Sequence, residues 1–473
     1  MLFPGHASGA SQLYLPFTNA DALFGPPLAT HPQCPQSSLV IGNDGITLYG
    51  ASTTGGSNNV GTIFGVRETD GAVFVYHSFS TNLMDGSLAY ATLPLATRLA
   101  WDGNMGGIVA AKTGWLYGTT PSGGTNNDGT LYRISQDGNG FQILHNFSTA
   151  DSYPAAPAIL ALDGSLYGTC YYAQMPDGLN NGGVIYKINT DGSGYTVLAY
   201  ATNDLVFNGL LQANDGNLYG NAINGVSGDG ILFRITTNGT GFTYLYTNTV
   251  GLDPAGTLVQ ADNGFLLGTT YAGGTSNLGT IYMINTNGAG FQMLHNFSDG
   301  TVTNDGASPA SGLVSAGGYY YGTTIYGGGI LGNGSGTIYR LALDGSGYMQ
   351  IYSFYTNTYT AYLQYHPAAS LTPGLFQGNT GALFGSYQTA PHGGNGGVYG
   401  LLINPPATIS PVSSASGGET TITWPTWATS FTLQSTTNLA SGTWQAVTNG
   451  TPVVGQQVPA TNSQIFYRLL SPQ

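Results

Sequence analysis

Charge is scarce in this sequence. Only 6% of its 473 residues are Asp, Glu, Lys or Arg, eight are basic, and the formal net charge is -13. Nucleic-acid binding draws much of its affinity from Lys and Arg set against phosphates, so this balance excludes nucleic acid and an anionic membrane surface as partners. Cysteine is rarer still. Cys34 and Cys170 form no CxxC pair and no disulfide framework, and read as small buried apolar residues. No run of 18 apolar residues occurs, so no membrane span is expected. The opening MLFPGHASGASQ holds no basic stretch followed by a sustained apolar one. The expectation is either a cytosolic protein or an exported one whose signal has been lost.

What is present is glycine, 74 residues of it, with 32 tyrosines and much Thr, Ser and Asn. That mixture disfavours helix. The organising stretch is LYGTTPSGGTNNDGTLYRISQDGNGFQILHNFSTAD, residues 116–151. It holds three β-rich runs separated by SGGTNNDG and QDGNG, which are turn chemistry. The LYG element recurs seven times, ending at Gly50, Gly118, Gly168, Gly220, Gly268, Gly322 and Gly385. Each copy is followed by a glycine-containing loop and a second run such as GTIFGV, GTLYRI or GVIYKI. Six copies add a DGxG-type turn and a third run, and an apolar run precedes LYG. The unit is four strands, A to D, in about 50 residues, a spacing in the range of kelch-type propeller blades.

The seventh copy lacks strand D, yet SQLYLPFTNAD near the N-terminus matches FQILHNFSTAD. An open sheet edge invites mispairing, so residues 11–18 are predicted to supply the missing strand. The expected fold is all-β: a seven-bladed β-propeller over 1–404, closed by the N-terminal strand. Blades are placed at about 35–80, 85–150, 151–203, 204–250, 251–300, 301–358 and 359–404. After Asn404 the repeats stop at a Pro-marked linker, and four short runs with Trp424 and Trp444 predict a small immunoglobulin- or fibronectin-like β-sandwich over 405–473.

The combined pattern LYGTTxxGGxxxxGTxYRIxxDGxGFxxLHNFS resembles the GloVer tandem repeat of bacterial cell-surface and secreted proteins, over roughly residues 35–404. The resemblance implies an extracellular or surface location, often with a C-terminal sorting anchor, and brings no catalytic residues to carry over.

Fourteen of the 19 Asp residues precede Gly, where Asp bonds nearby backbone and Gly supplies positive φ. Asp128 and Asp229 stand out by lying in B–C loops. Asp21, Asp85, Asp151, Asp204, Asp253 and Asp305 fall in connectors between blades. Either each caps its own connector, or together they form a ring for Ca2+ or sugar hydroxyls; no other cofactor is expected. Arg133, Lys187, Arg234 and Arg340 share one position in strand C, which reads as a structural strand residue rather than an anion ring, since Gly65, Met283 and Gly400 interrupt it. His77, His145 and His295 recur in strand D and read as structural, because outer strands keep them apart.

Loop lengths point to the face formed by B–C loops and D–A connectors, which are long and variable. Its aromatic residues Tyr171, Tyr172, Tyr271, Tyr326, Tyr359, Tyr362 and Tyr387, with His392, could stack on sugars, grip a peptide, or pack their own loops. The first functional reading is a non-enzymatic, monomeric extracellular binding or scaffold protein for a glycan or surface protein. A polysaccharide lyase or glycoside hydrolase on the same face is the alternative, weakened because Glu68 and Glu419 are the only glutamates to join the non-turn aspartates. A structural surface-layer or matrix component is the third.

Overall fold

A computed structural model shows seven four-stranded antiparallel blades arranged in a propeller ring, with no helix among the described residues. It describes residues 13–14, 32–35, 37–68, 71–80, 84–86, 107–154, 156–171, 182–201, 205–224, 229–298, 300, 302, 305–309, 311–327, 336–353, 375–378, 382–387 and 397–402. Beyond these it describes the strands at 408–412, 419–423, 432–436, 445–446, 455–459 and 466–470. No helix there is long and apolar enough to cross a membrane.

Blade 2 shows the pattern: strands A to D are Ile108–Ala110, Trp115–Thr120, Thr130–Ser135 and Gln142–Asn146, paired in that order. The N-terminal prediction holds in the pairing. Leu13–Tyr14 is the outer strand of blade 7, with Leu13 opposite Leu401 and Tyr14 opposite Gly400. One feature differs from the expected separate blades. A single strand, Thr243–Gln260, is both the outer strand of blade 4 and the inner strand of blade 5, making one seven-stranded sheet. The ladder stays continuous because Leu252 pairs back to Asp229 while also pairing forward to Ala272.

The repeat motif can now be read atom by atom. The Leu and Tyr of LYG point to opposite faces of the sheet, as strand geometry dictates. Leu116 packs toward blade 1 and Tyr117 toward blade 3. The glycine between LY and TT is a matter of space: a Cβ on Gly118 would lie 2.3 Å from the Tyr132 hydroxyl, whose ring crosses over it from strand C. The same approach recurs at all seven LYG copies, with Phe64 and Phe233 in place of tyrosine in blades 1 and 4. The first Thr reaches the neighbouring blade. Thr169 Oγ1 donates to the Asn208 carbonyl at 3.0 Å and Thr269 Oγ1 to the Ser311 carbonyl at 2.7 Å. Ser386 closes the circle onto the Ser37 carbonyl at 3.4 Å. The second Thr pairs with the Thr of strand C, as in Thr120 with Thr130 at 2.8 Å and Thr270 with Thr280 at 2.9 Å.

The core lies between blades rather than within them. Seven buried apolar clusters occupy the seven junctions of adjacent blades, including blade 7 with blade 1, where Leu39, Phe64 and Val66 meet Ala382, Phe384 and Val398. Because every blade buries both faces, closing the ring buries side chains worth about 1.5–3 kcal/mol each that an open arc would expose. The C-terminal strands form two three-stranded antiparallel sheets, one from 408–412, 419–423 and 455–459, the other from 432–436, 445–446 and 466–470.

Candidate functional site on the loop face

The ends of strands B and beginnings of strands C share one face of the ring with the D–A connectors. Here the backbone carries a repeated irregularity. Tyr153, Asp253 and Ser308 have φ of 61°, 54° and 54°, and each precedes a proline. The left-handed region is costly for residues with a Cβ and poorly suited to a residue before proline, so each costs on the order of 1–3 kcal/mol and persists only because the blades over-determine it. The three positions are equivalent in blades 3, 5 and 6.

At the junction of blades 5 and 6 this geometry gathers side chains that are distant in sequence. Leu252 pairs with Ala272 and Pro254 with Thr270, so Asp253 stands opposite Tyr271. Tyr271 in turn approaches Tyr326 and Ser308 of blade 6. Burial, then the neighbouring Tyr326, then the Asp253 charge push its phenol up. Tyr326 is 42% exposed, an open aromatic surface beside these polar groups. The Asp253 side chain makes no hydrogen bond or ion pair with a described residue, and partial burial raises its carboxyl above the ordinary range.

A related arrangement occupies the junction of blades 2 and 3. The Tyr153 N–H donates to the Asp128 carbonyl at 2.9 Å and the Tyr171 N–H to the Tyr153 carbonyl at 3.1 Å. The Asp128 side chain likewise has no hydrogen-bond or ion-pair partner among the described residues. Burial, then the Asp151 charge, raise its carboxyl, and burial, then the Asp128 charge, raise the Tyr153 phenol. Tyr171, 5% exposed, packs inward rather than facing solvent.

The other connector carboxylates are placed differently. Asp85, Asp151 and Asp305 each accept from the serine that follows strand D: the Ser80 N–H at 3.0 Å, the Ser148 N–H at 2.8 Å and the Ser298 N–H at 2.9 Å. Each also meets the histidine of that strand, in the pairs His77–Asp85 (3.1 Å), His145–Asp151 (3.2 Å) and His295–Asp305 (2.9 Å). They sit at the outer strands, engaged in fastening blades. Asp253 is out of phase with them, lying at the left-handed pre-proline position.

Asp21, Asp204, Tyr172, Tyr359, Tyr362 and His392 lie outside the described residues. Tyr387 ends strand B of blade 7, paired with Gly397. Tyr153 and Ser308 escaped the sequence reading, although the repeated X-Pro at one offset in the connector was the available signal. The strand-C cations are occupied. The Arg133 guanidinium lies 4.5 Å from the Trp115 ring and donates to the Thr190 carbonyl of the next blade, Lys187 pairs with Asp163 at 2.9 Å, and Arg340 lies 4.4 Å from the Tyr319 ring. Among the described residues no three His, Cys, Asp or Glu side chains gather as a metal site requires.

The ring resembles solved propellers. An oligogalacturonate lyase in complex with manganese aligns with a TM-score of 0.51 at 11% identity, over 83% of this chain and 96% of that one. A hydrazine synthase of Kuenenia stuttgartiensis gives 0.45 at 14% identity, over 68% and 80%, and a putative 6-phosphogluconolactonase from Bacteroides uniformis gives 0.44 at 13%, over 67% and 84%. At such identities the likeness concerns the fold alone. No curated protein sequence matches. The model of the Gloeobacter/Verrucomicrobia repeat matches residues 96–257 and 206–448, together well over half of the sequence. With seven copies of one motif closed into one ring, the chain belongs to the Gloeobacter/Verrucomicrobia repeat family.

Proposed function

We propose that this protein is a non-enzymatic binding protein, acting as a monomer at or outside the cell surface, that holds a glycan on the loop face of its propeller. The observation that carries the reading is the group Asp253, Tyr271 and Tyr326. An exposed aromatic ring offers a stacking surface for the apolar face of a sugar, and a carboxylate with no partner among the described residues offers acceptors to its hydroxyls. The Asp128–Tyr153 pair lies three blades away in a ring of seven, nearly across the axis, which suits an extended chain better than a single sugar. Hydrolysis of a glycosidic bond needs two carboxyl groups flanking one bond; these two stand at separate blade junctions. Isothermal titration against a panel of soluble polysaccharides, run beside an assay for reducing ends and unsaturated products, tests the reading. Binding without release is expected, and product release from any bound polymer would overturn it.

A further inference from the structure

The described Arg and Lys residues of the propeller are confined to one face, where they lie among turn aspartates such as Asp163 and Asp215. In the B–C register, Arg133, Lys187, Arg234 and Arg340 lie opposite Tyr117, Tyr167, Tyr219 and Tyr321, in the half of the sheet near the A–B and C–D turns. Lys112 is in an A–B turn, and Arg67 ends strand C, where its guanidinium lies 5.0 Å from the Phe74 ring. None of the described Arg or Lys residues of the blades reaches the loop face; the histidines there, His77, His145 and His295, are engaged by Asp85, Asp151 and Asp305. That face instead presents Asp128 and Asp253, neither of which has a hydrogen-bond or ion-pair partner among the described residues.

A carboxylate is an acceptor without a donor of its own, so each of these groups is complemented by a ligand that brings donors and no negative charge. A neutral sugar does this with its hydroxyls. A uronate brings a second carboxylate into a partly desolvated site, where like charges repel more strongly than in open water, and finds no described Arg or Lys to bridge the two. Cation-free carboxylates beside tyrosine would also attract a basic peptide. The separation of the two sites across the ring mouth, each with its own tyrosine, favours a repeating uncharged polymer.

We propose that the loop face binds uncharged polysaccharide and rejects uronate polymers, through one subsite at Asp253, Tyr271 and Tyr326 and another at Asp128 and Tyr153. This rests on the glycan-binding reading above and narrows its ligand class.

The test is titration of the full chain with laminarin and xyloglucan, with polygalacturonate and alginate, and with oligolysine, at two salt concentrations. Neutral polymers are expected to bind at least tenfold more tightly than uronates, with little salt dependence. The Asp128→Asn/Asp253→Asn double variant should narrow that preference at least fivefold by admitting uronates. Tyr326→Ala, at an exposed position, should weaken neutral-polymer binding about tenfold while leaving the thermal midpoint unchanged. Uronates bound as tightly as neutral polymers, or an unchanged preference in the double variant, would overturn the selectivity and leave glycan binding standing. Binding of oligolysine alone, or of nothing, would overturn both.

Discussion

The imidazole of His295 lies flat on the ring of Tyr348, with 3.6 Å between centroids, although the two belong to neighbouring blades. Asp305 joins them, accepting from the Tyr348 hydroxyl at 2.5 Å and lying 2.9 Å from His295 Nε2. The arrangement repeats with His145, Tyr195 and Asp151. His77 stacks on Phe141 at 3.9 Å, so its clamp has Asp85 without a phenol. Because the histidine is in strand D and its ring partner follows the next C–D turn, each clamp fastens the outer rim of one blade to its neighbour.

Removing the carboxylate of a clamp should cost stability in proportion to its burial. The Asp305 side chain is 1% exposed and that of Asp85 20%. Asp305→Ala leaves a buried histidine, phenol and backbone N–H without their acceptor and should destabilise by about 3–5 kcal/mol. Asp85→Ala should cost about 1 kcal/mol. Urea midpoints of the two variants check the order; equal losses would contradict the clamp.

The clamps also set the response to acid. Burial opposes ionisation of Asp85 and Asp151, but hydrogen bonds from their histidines and serines, and from Tyr195 in the second case, outweigh it and hold both carboxyls below the ordinary range. A depressed folded-state value means their contribution is fully present above the unfolded carboxylate value near about 3.9 and is lost as pH falls through the folded value. Urea midpoints should therefore drop below about pH 4, and Asp151→Asn should flatten that drop.

Asp253 should behave with the opposite sign. Its folded carboxyl is raised by burial, so ionisation costs stability at every pH above its unfolded value. Asp253→Asn should raise the thermal midpoint at pH 7 and change it little below about pH 3, while weakening neutral-glycan binding. A gain in stability with a loss of binding is the mark of a side chain kept for its ligand. A destabilised variant would mean that the carboxylate has a structural partner.

Binding should survive EDTA. The carboxylates nearest to a ring, Asp85, Asp151 and Asp305, already serve histidines and serines, and the proposed subsites use Asp128 and Asp253 without a cation. Titration with and without chelator checks this, and loss of binding with EDTA would return Ca2+ to the account.

The LYG glycine carries a steric prediction. Gly118→Ala places a methyl against Tyr132 and should cost about 1–3 kcal/mol, whereas Gly114→Ala, with nothing within 4 Å of its new methyl, is limited by its φ of 89° instead. Tyr132→Phe should be neutral or stabilising: the Tyr132 hydroxyl is buried with no hydrogen-bond partner among the described residues, and phenylalanine holds the same place in blades 1 and 4. A double-mutant cycle between Gly118→Ala and Tyr132→Leu should show strong coupling.

The sevenfold LYG and GTxYR spacing, the turn chemistry of DGxG, and the likeness of the N-terminal SQLYLPF to a strand D are properties of short stretches. Each specifies strands, turns and alternation by local physics, so blade number, strand order and closure were legible along the chain. The fate of a side chain was not. Asp151 and Asp253 look alike as connector aspartates, yet one is claimed by His145 and Tyr195, while the side chain of the other has no partner among the described residues and stands at a left-handed residue opposite Tyr271. That difference depends on which blade lies alongside and on the register with which it packs, and only the closed ring decides it.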